Sequence, residues 1–128
     1  MNILVLIIHN DDPLYNEMIE VQRKYIHSCS NITSYIVQMN PDIEEEIKLE
    51  NDVLFVKGQE TYHNILWKTI CALEYAIPKK KYDYVIRTNA STILDFEKVN
   101  EYFLSANKHE LYTGGRILEL EWTDPSFG

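Results

Sequence analysis

The segment from Asp52 to Phe96 constrains the fold more than any other part of the chain, because its pattern predicts a strand, a helix and a second strand. The first strand is the apolar run Val53–Val56, and the second is Tyr84–Ile86. Between them, apolar residues recur with the period of a helix, at Ile65, Leu66, Ile70, Leu73 and Ile77. Pro78 then ends the pattern. Such a unit predicts parallel strands joined by a right-handed crossover, so we expect function at the edge where their carboxyl ends meet.

Two more strands are predicted upstream of this unit. Asn2–Ile8 is a continuous apolar run, typical of a central strand buried on both faces, and Thr33–Met39 is the second strand. A helix is predicted over Tyr15–Ser28 between them. The whole pattern indicates a single α/β domain over residues 1–128, with a Rossmann-like, three-layer sandwich and a mainly parallel central sheet. Numbered along the chain, the strands are expected in the order third, second, first, fourth, that is 3-2-1-4.

The remaining elements are predicted as follows. Asn40, Pro41 and Asp42 are expected to end the second strand before an acidic segment, Ile43–Glu50. Within it, Glu44–Glu46 is expected to be a solvated face or loop, and three adjacent glutamates make a poor metal cage because they point in different directions on a helix. Asp95 is expected to cap a helix that runs from Phe96 to about Ser105. A short fifth strand is predicted at Glu110–Thr113, and a turn then leads to Ile117–Trp122.

Polar residues follow the first and fourth strands. His9, Asn10 and Asp11 come directly after the first strand, and Arg87 begins the polar run after the fourth. Capping explains part of the first group, since Asp11 or Asp12 suits the N-cap of a helix that begins with Pro13. Binding of a ligand and capping of a helix are both open interpretations for these residues. We predict a pocket between the two groups of polar residues, because they end neighbouring strands.

A second set of polar residues lies at the start of the central helix. Thr61, the predicted cap, is followed by Asn64 and Lys68 at spacings of three and four, so the three share one helical face. A lysine stem packed against a core is common. An asparagine and a lysine near the functional edge are harder to explain by packing alone.

These residues carry a resemblance to a known family. The runs GQETYHNILWKT (residues 58–69), ALEYA (72–76) and YDYVIRTN (82–89) resemble the donor-binding half of Fringe and galactosyltransferase-like enzymes, which have a GT-A fold. The family pattern is roughly Asp-x-Tyr-x-Asn-Leu-x-x-Lys-Thr on a helix, followed by Tyr-x-x-Lys-Thr-Asp-Asp-Asp at a strand end. The residue-level match runs from about Val56 to Phe96. Asn89, Ala90 and Ser91 stand where the family places its acidic triplet.

The resemblance implies a glycosyltransferase that moves a sugar from a nucleotide-diphosphate donor to an acceptor hydroxyl. It implies a set of donor-binding residues: His9, Asn10, Asp11, Asn64, Lys68, Arg87, Thr88, Asn89 and Ser91. In that family more chain follows, so we expect these 128 residues to be the amino-terminal part of a larger domain and inactive alone. The donor sugar, the acceptor and the linkage are not indicated by the motifs.

A metal ion is also implied by the resemblance. Mn²⁺ or Mg²⁺ offsets charge on the leaving diphosphate in GT-A enzymes, and both ions prefer carboxylate oxygens. Asn89 and Ser91 offer only neutral oxygens, so they are weak ligands here. Any ion would have to rely on the donor's phosphates, on water, or on Asp11 or Asp95. Weak metal binding is therefore predicted, and Asn89 is expected to bond the donor's ribose or phosphate.

Charge and cysteine content exclude several other classes. A formal net charge of -8 disfavours binding to nucleic acid or to an anionic membrane, which requires clustered Lys and Arg. Cys29 and Cys71 lack neighbouring ligands, so neither zinc nor a catalytic thiol is indicated. No leader or bilayer span is predicted, because the first apolar run is short and has no basic flank. A soluble, cytoplasmic protein is expected.

Three other classes of protein share part of this sequence pattern. A binding module or inactive relative would keep the nucleotide pocket without the chemistry, and the altered triplet favours it. A phosphoacceptor receiver domain needs an aspartate at the end of the third strand, where Lys57 stands. A dinucleotide-binding dehydrogenase is disfavoured because the turn after the first strand, residues 9–13, lacks glycine.

Overall fold

The computed structural model describes residues 1–26 and 29–105. In chain order the elements are strand β1 (Ile3–Ile8), helix α1 (Pro13–Ile26), strands β2 (Ile32–Asn40), β3 (Ile47–Glu50) and β4 (Val53–Lys57), helix α2 (Ile65–Ala76), strand β5 (Tyr84–Asn89) and helix α3 (Phe96–Ser105). Short 3₁₀ turns flank α2 at Tyr62–Asn64 and Ile77–Lys79.

The strands form one five-stranded sheet in the order β3-β4-β2-β1-β5. β1 lies between β2 and β5 and is parallel to both, and β2 is parallel to β4. Of the strands in the described part of the chain, only β3 is antiparallel, at the edge beside β4. The predicted order of the four parallel strands is therefore confirmed, and β1 is central as its apolar sequence predicted.

Helices cover both faces of the sheet. On one face, α1 and α3 pack against alternate residues of β1, and Ile19 and Phe103 join Ile3, Val5 and Ile7 in one buried cluster. On the other face, Ala72 and Ala76 of α2 pack against Leu4, Leu6 and Leu54. Every residue of β1 is buried, because both of its faces are covered by helices. The result is an α/β fold consistent with a Rossmann-like architecture.

Three sequence predictions differ from the structure. Glu44–Glu46 form an exposed bend, as predicted, but the strand β3 that follows them was not predicted, and in it Ile47 and Leu49 alternate with Lys48 and Glu50. The fourth predicted strand does not end at Ile86, because β5 pairs with β1 as far as Asn89.

Thr61 was predicted to cap the central helix, and this prediction was wrong. The helix begins later, at Ile65, after a 3₁₀ turn, and the Thr61 side chain makes no capping hydrogen bond. By contrast, Asp95 caps α3 as predicted, because its Oδ1 accepts from the Lys98 N–H at 3.2 Å. Asp12 likewise accepts from the Leu14 N–H, at 2.9 Å, at the start of α1.

Some predictions lie outside the described residues. The predicted strand Glu110–Thr113 and the segment Ile117–Trp122 fall beyond Ser105, and the predicted end of the first helix, Ser28, falls in the gap at 27–28. Within the described ranges, none of the helices has the length and apolar character needed to cross a bilayer.

Candidate functional site at the strand ends

A cavity of about 310 Å³ lies at the carboxyl ends of β1 and β5. The two strands end together, since Ile8 pairs with Asn89 and the Ala90 N–H donates to the Ile8 carbonyl at 3.2 Å. The cavity is lined by residues from both strand ends, from α1 and from the start of α2: Ile8, His9, Asn10, Tyr15, Glu60, Thr61, Tyr62, Ile65, Lys68, Asn89, Ala90 and Ser91. The sheet changes direction here, because the chain leaves β1 toward β2 and returns to β1's other side as β5. Open α/β sheets bind ligands at such a switch point.

Lys68 is the most deeply buried charged residue of this cavity wall, at 2% exposure. Its Nζ donates to the main-chain carbonyl of His9 at 2.7 Å and to the Glu60 carboxylate. The other Glu60 oxygen accepts from the Met39 N–H at 2.7 Å. Burial lowers the pKa of Lys68, the bond to Glu60 opposes that effect, and the charge of Arg87 adds to it. The lysine therefore ties α2 to the ends of β1 and β2.

His9 is also buried, at 5% exposure. Its Nε2 lies 2.9 Å from Oδ1 of Asn16, and the Asn16 amide group donates to Asp11 at 3.3 Å. Because the amide nitrogen of Asn16 serves Asp11, its oxygen is the acceptor, and Nε2 of His9 carries the proton. Nδ1 is then a lone-pair acceptor, and it has no partner among the described residues. Burial lowers the pKa of His9, so the ring is neutral at pH 7.

The turn after β5 is held from two sides. Gln22 is buried within the apolar stripe of α1, and its Nε2 donates to the main-chain carbonyls of Asn89, at 3.2 Å, and of Ala90. Within the turn, Oδ1 of Asn89 accepts from the hydroxyls of Ser91 and Thr92 at 2.8 and 2.9 Å. The backbone of the turn and the oxygen of Asn89 are thus fixed by internal contacts.

The structure brings together some of the predicted site residues and leaves others apart. Five of them line the cavity: His9, Asn10, Lys68, Asn89 and Ser91. Asp11 is exposed beside α1, and Asn64 donates its side-chain amide to the Gln59 carbonyl at 2.9 Å. Arg87 is exposed on β5, two residues before Asn89, and Thr88 is half-buried on the opposite face of that strand.

Sequence reasoning did not find two residues of this site. Glu60 forms an ion pair with Lys68, which lies eight residues further along the chain. That spacing does not match the three- or four-residue spacing of neighbours on a helix, so the pair was not predicted. Gln22 lies within the helix predicted over Tyr15–Ser28, and no role in a site was predicted for it. A polar residue at a buried stripe position is itself the signal that could have identified it, because a buried amide needs hydrogen-bond partners.

A second concavity, of about 320 Å³, lies between α1 and the strands β2 and β4. Its wall contains Arg23, which donates to both carboxylate oxygens of Asp52 at 2.9 and 3.1 Å. Hydrogen bonding to Asp52 is the main cause that raises the pKa of Arg23. This ion pair joins α1 to the start of β4. The second concavity shares His9 with the first cavity, but its lining includes no residue of the turn after β5 among those described.

Together the fold and the site define an α/β protein with a ligand cavity at the switch point of a mainly parallel sheet. The chain belongs to the galactosyltransferase family, because the sequence model of that family, Galactosyltransferase, matches residues 33–123. The match confirms the resemblance carried by the central helix and the end of β5, and membership suggests a glycosyltransferase enzyme. Neither the curated proteins nor the solved structures include a significant match.

The residues present do not suit the divalent ion that the resemblance implies. Among the described residues, Glu60 is the one carboxylate in the cavity lining, and Lys68 and Met39 occupy its two oxygens. Asn89 and Ser91 supply neutral oxygens, and that of Asn89 already accepts two hydroxyls. No group of three His, Cys, Asp or Glu side chains suited to a metal ion occurs within residues 1–26 and 29–105. Mn²⁺ and Mg²⁺ favour carboxylates, so this donor set is a poor one for either ion.

Proposed function

We propose that the cavity at the ends of β1 and β5 binds a nucleotide-diphosphate sugar, and that the protein is a GT-A-type glycosyltransferase that moves the sugar to an acceptor hydroxyl. The observation that carries the proposal is the meeting of His9, Lys68 and Asn89 around one cavity at the switch point of the sheet. Membership of the galactosyltransferase family gives the class of reaction.

The polarity of the cavity supports a nucleotide ligand. Asn10, Asn89 and Ser91 contribute amide and hydroxyl groups to the wall, and these suit the N–H groups of a base and the hydroxyls of a ribose. Tyr15 and Tyr62 contribute aromatic surface to the same wall. The first turn of α2 borders the cavity through Ile65, and the positive end of a helix dipole favours an anionic group such as a diphosphate.

The roles of the residues follow from their positions. Lys68 fixes the carbonyl of His9 and does not itself carry the reaction. Asn89 and Ser91 line the side toward β5, where the turn is held by Gln22. Transfer to an acceptor requires a general base near the attacking hydroxyl. We assign no such base within the described residues.

A direct experiment is a binding survey with the uridine, guanosine and thymidine diphosphates and their sugar conjugates. Melting temperature identifies the preferred nucleotide, because a ligand that binds only the folded state raises it, and calorimetry then gives the affinity. The proposal expects one nucleotide to bind at least about tenfold more tightly than the others, a difference of about 1.4 kcal/mol. No saturable binding by any of them would reject it.

A second candidate is a binding module that keeps the nucleotide site and lacks turnover. One observation favours it, namely that Asn89, Ala90 and Ser91 replace the acidic triplet of the resembled family. Hydrolysis of the nucleotide sugar, or its transfer to a panel of acceptor glycans, distinguishes the two. Nucleotide binding together with turnover supports the transferase, and binding without turnover supports the module.

A further inference from the structure

Arg87 stands out among the charged residues near the cavity. Alternation along β5 places Val85, Arg87 and Asn89 on the face of the sheet that α2 covers, whereas Tyr84 and Ile86 pack into the cluster beneath α1 and α3. α2 packs over β1, β2 and β4, so Arg87 stays exposed at the side of β5. No hydrogen bond or ion pair holds its guanidinium among the described residues.

Arg87 lies close to the cavity along strand β5. It lies two residues before Asn89, which lines the cavity on the same face, and two residues along a strand span about 7 Å. The extended side chain of an arginine covers about that distance. The charge of Arg87 is also felt by Lys68 inside the cavity, whose pKa it helps to lower. Its guanidinium is therefore a free cation within reach of a bound ligand.

The other charged groups around the cavity are already engaged. Lys68 and Glu60 form a pair, so together they add no net charge to the cavity. Three further carboxylates have structural partners, since Asp11 accepts from the side-chain amide of Asn16, Asp12 caps α1 and Asp95 caps α3. Within residues 1–26 and 29–105, no cage of carboxylates suits a divalent ion beside a diphosphate in the cavity, and Arg87, two residues before Asn89, carries a positive charge with no ion-pair partner there.

We propose that Arg87 neutralises the diphosphate of the donor, so that this pocket binds a nucleoside diphosphate without a divalent cation. The proposal rests on the proposed function and deepens it. A guanidinium presents paired N–H donors that match two phosphate oxygens, so one arginine supplies both charge and orientation. The neutral turn of Asn89 and Ser91 then contacts the nucleotide without coordinating a metal.

The test is calorimetric titration of the full chain with uridine, guanosine and thymidine diphosphates, in EDTA and again with Mn²⁺. The proposal predicts binding in EDTA that Mn²⁺ changes by less than about threefold. Arg87→Gln is expected to weaken binding by about tenfold or more, because charged hydrogen bonds to phosphate are lost. Arg87→Lys should retain much of the affinity. Lys98→Gln, which removes an exposed charge on α3, is the matched control and should bind as the wild type does.

Each result has a distinct meaning. Binding that appears only with Mn²⁺ would overturn the metal-free site and leave the nucleotide function standing. Equal affinity of Arg87→Gln and the wild type in EDTA would overturn the role of Arg87. Absence of binding under both conditions would reject the proposed function, and this inference with it. Because Arg87 is exposed, the variants are expected to fold, and their melting curves check this.

Discussion

The ammonium group of Lys68 lies 2.7 Å from the main-chain carbonyl oxygen of His9, to which it donates a hydrogen bond. This contact joins the second turn of α2 to the end of β1, residues that are 59 positions apart in the chain. Glu60 completes the arrangement, since it accepts from Lys68 and from the backbone of β2. One buried lysine thus connects three of the elements around the cavity.

Removal of Lys68 is expected to destabilise the fold. Lys68→Met leaves the partly buried Glu60 carboxylate and the His9 carbonyl without their donor, so the free energy of unfolding should fall by about 2 to 4 kcal/mol. Urea denaturation measures the change. Adding Glu60→Gln should recover part of the loss, because the uncompensated charge is then gone.

The matched control for Lys68→Met is Lys48→Met. It removes an ion pair of similar chemistry, Lys48 with Glu50, from the exposed edge strand β3. A much smaller change is expected there. Equal losses in Lys68→Met and Lys48→Met would contradict the view that burial gives the Lys68 pair its importance.

The hydrogen bonds from Gln22 are expected to fix the turn after β5. Gln22→Met keeps the volume of the side chain but removes the donor of two carbonyl groups, which should cost about 1 to 3 kcal/mol. Nucleotide affinity should fall as well, because Asn89 and Ser91 lose their fixed position. Gln59→Met, at an exposed position, serves as control. Unchanged stability and affinity in Gln22→Met would show that the turn holds its shape by other contacts.

His9 predicts a pH dependence of stability. Burial lowers its pKa in the folded protein below the ordinary value of 6.5, so the unfolded chain binds more protons between the two values. The contribution of His9 is therefore fully present above about pH 6.5 and is lost as pH falls toward the lowered pKa. His9→Gln should lack this loss, and the free energies of unfolding of the two proteins from pH 7.5 to 5 give the comparison.

The control for the pH prediction is His63→Gln, which removes an exposed imidazole from the turn before α2. It should keep the wild-type profile. If acidification instead raised the stability of the wild type relative to His9→Gln, the predicted sign would be wrong. The folded protein would then prefer the charged imidazolium.

The turn after β5 also predicts a gain of metal dependence. In the double variant Asn89→Asp with Ser91→Asp, two carboxylates face the cavity where neutral groups stand now. Mn²⁺ should then tighten nucleotide binding by about tenfold or more, because carboxylates are preferred ligands of this ion. Calorimetry with and without Mn²⁺ measures it. The same response to Mn²⁺ in the variant and the wild type would show that these two positions do not decide metal use.

The sequence predicted those parts of the fold that depend on local pattern and on the chirality of crossovers. The apolar run Ile3–Ile8 identified the central strand, and the order of the parallel strands followed from it. β3 was missed because its charged residues and its short length hid the alternation of Ile47 and Leu49. An edge strand depends on pairing with a neighbour, here β4, and that pairing is not a local property of the sequence.

The candidate site was predicted in position but not in its internal contacts. Strand ends placed His9 and Asn89 together, since parallel neighbours end at the same edge. The pairing of Lys68 with Glu60 and the bonds from Gln22 to the turn depend on side-chain reach across different elements, which spacing along the chain does not encode. The position of the proton on Nε2 of His9 likewise follows from its contact with Asn16, seven residues away.

Binding of a nucleotide at the carboxyl ends of β1 and β5 can be tested by NMR titration of the isotope-labelled protein with uridine, guanosine and thymidine diphosphates. Saturable shifts are expected for backbone amides around the cavity, at Asn10, Thr61, Tyr62 and Ser91. Amides of the second concavity, at Glu17, Glu20 and Gln38, should stay in place and serve as the internal control. Shifts confined to that second group, or no saturable shifts with any of the three nucleotides, would show that these nucleotides do not bind at the ends of β1 and β5.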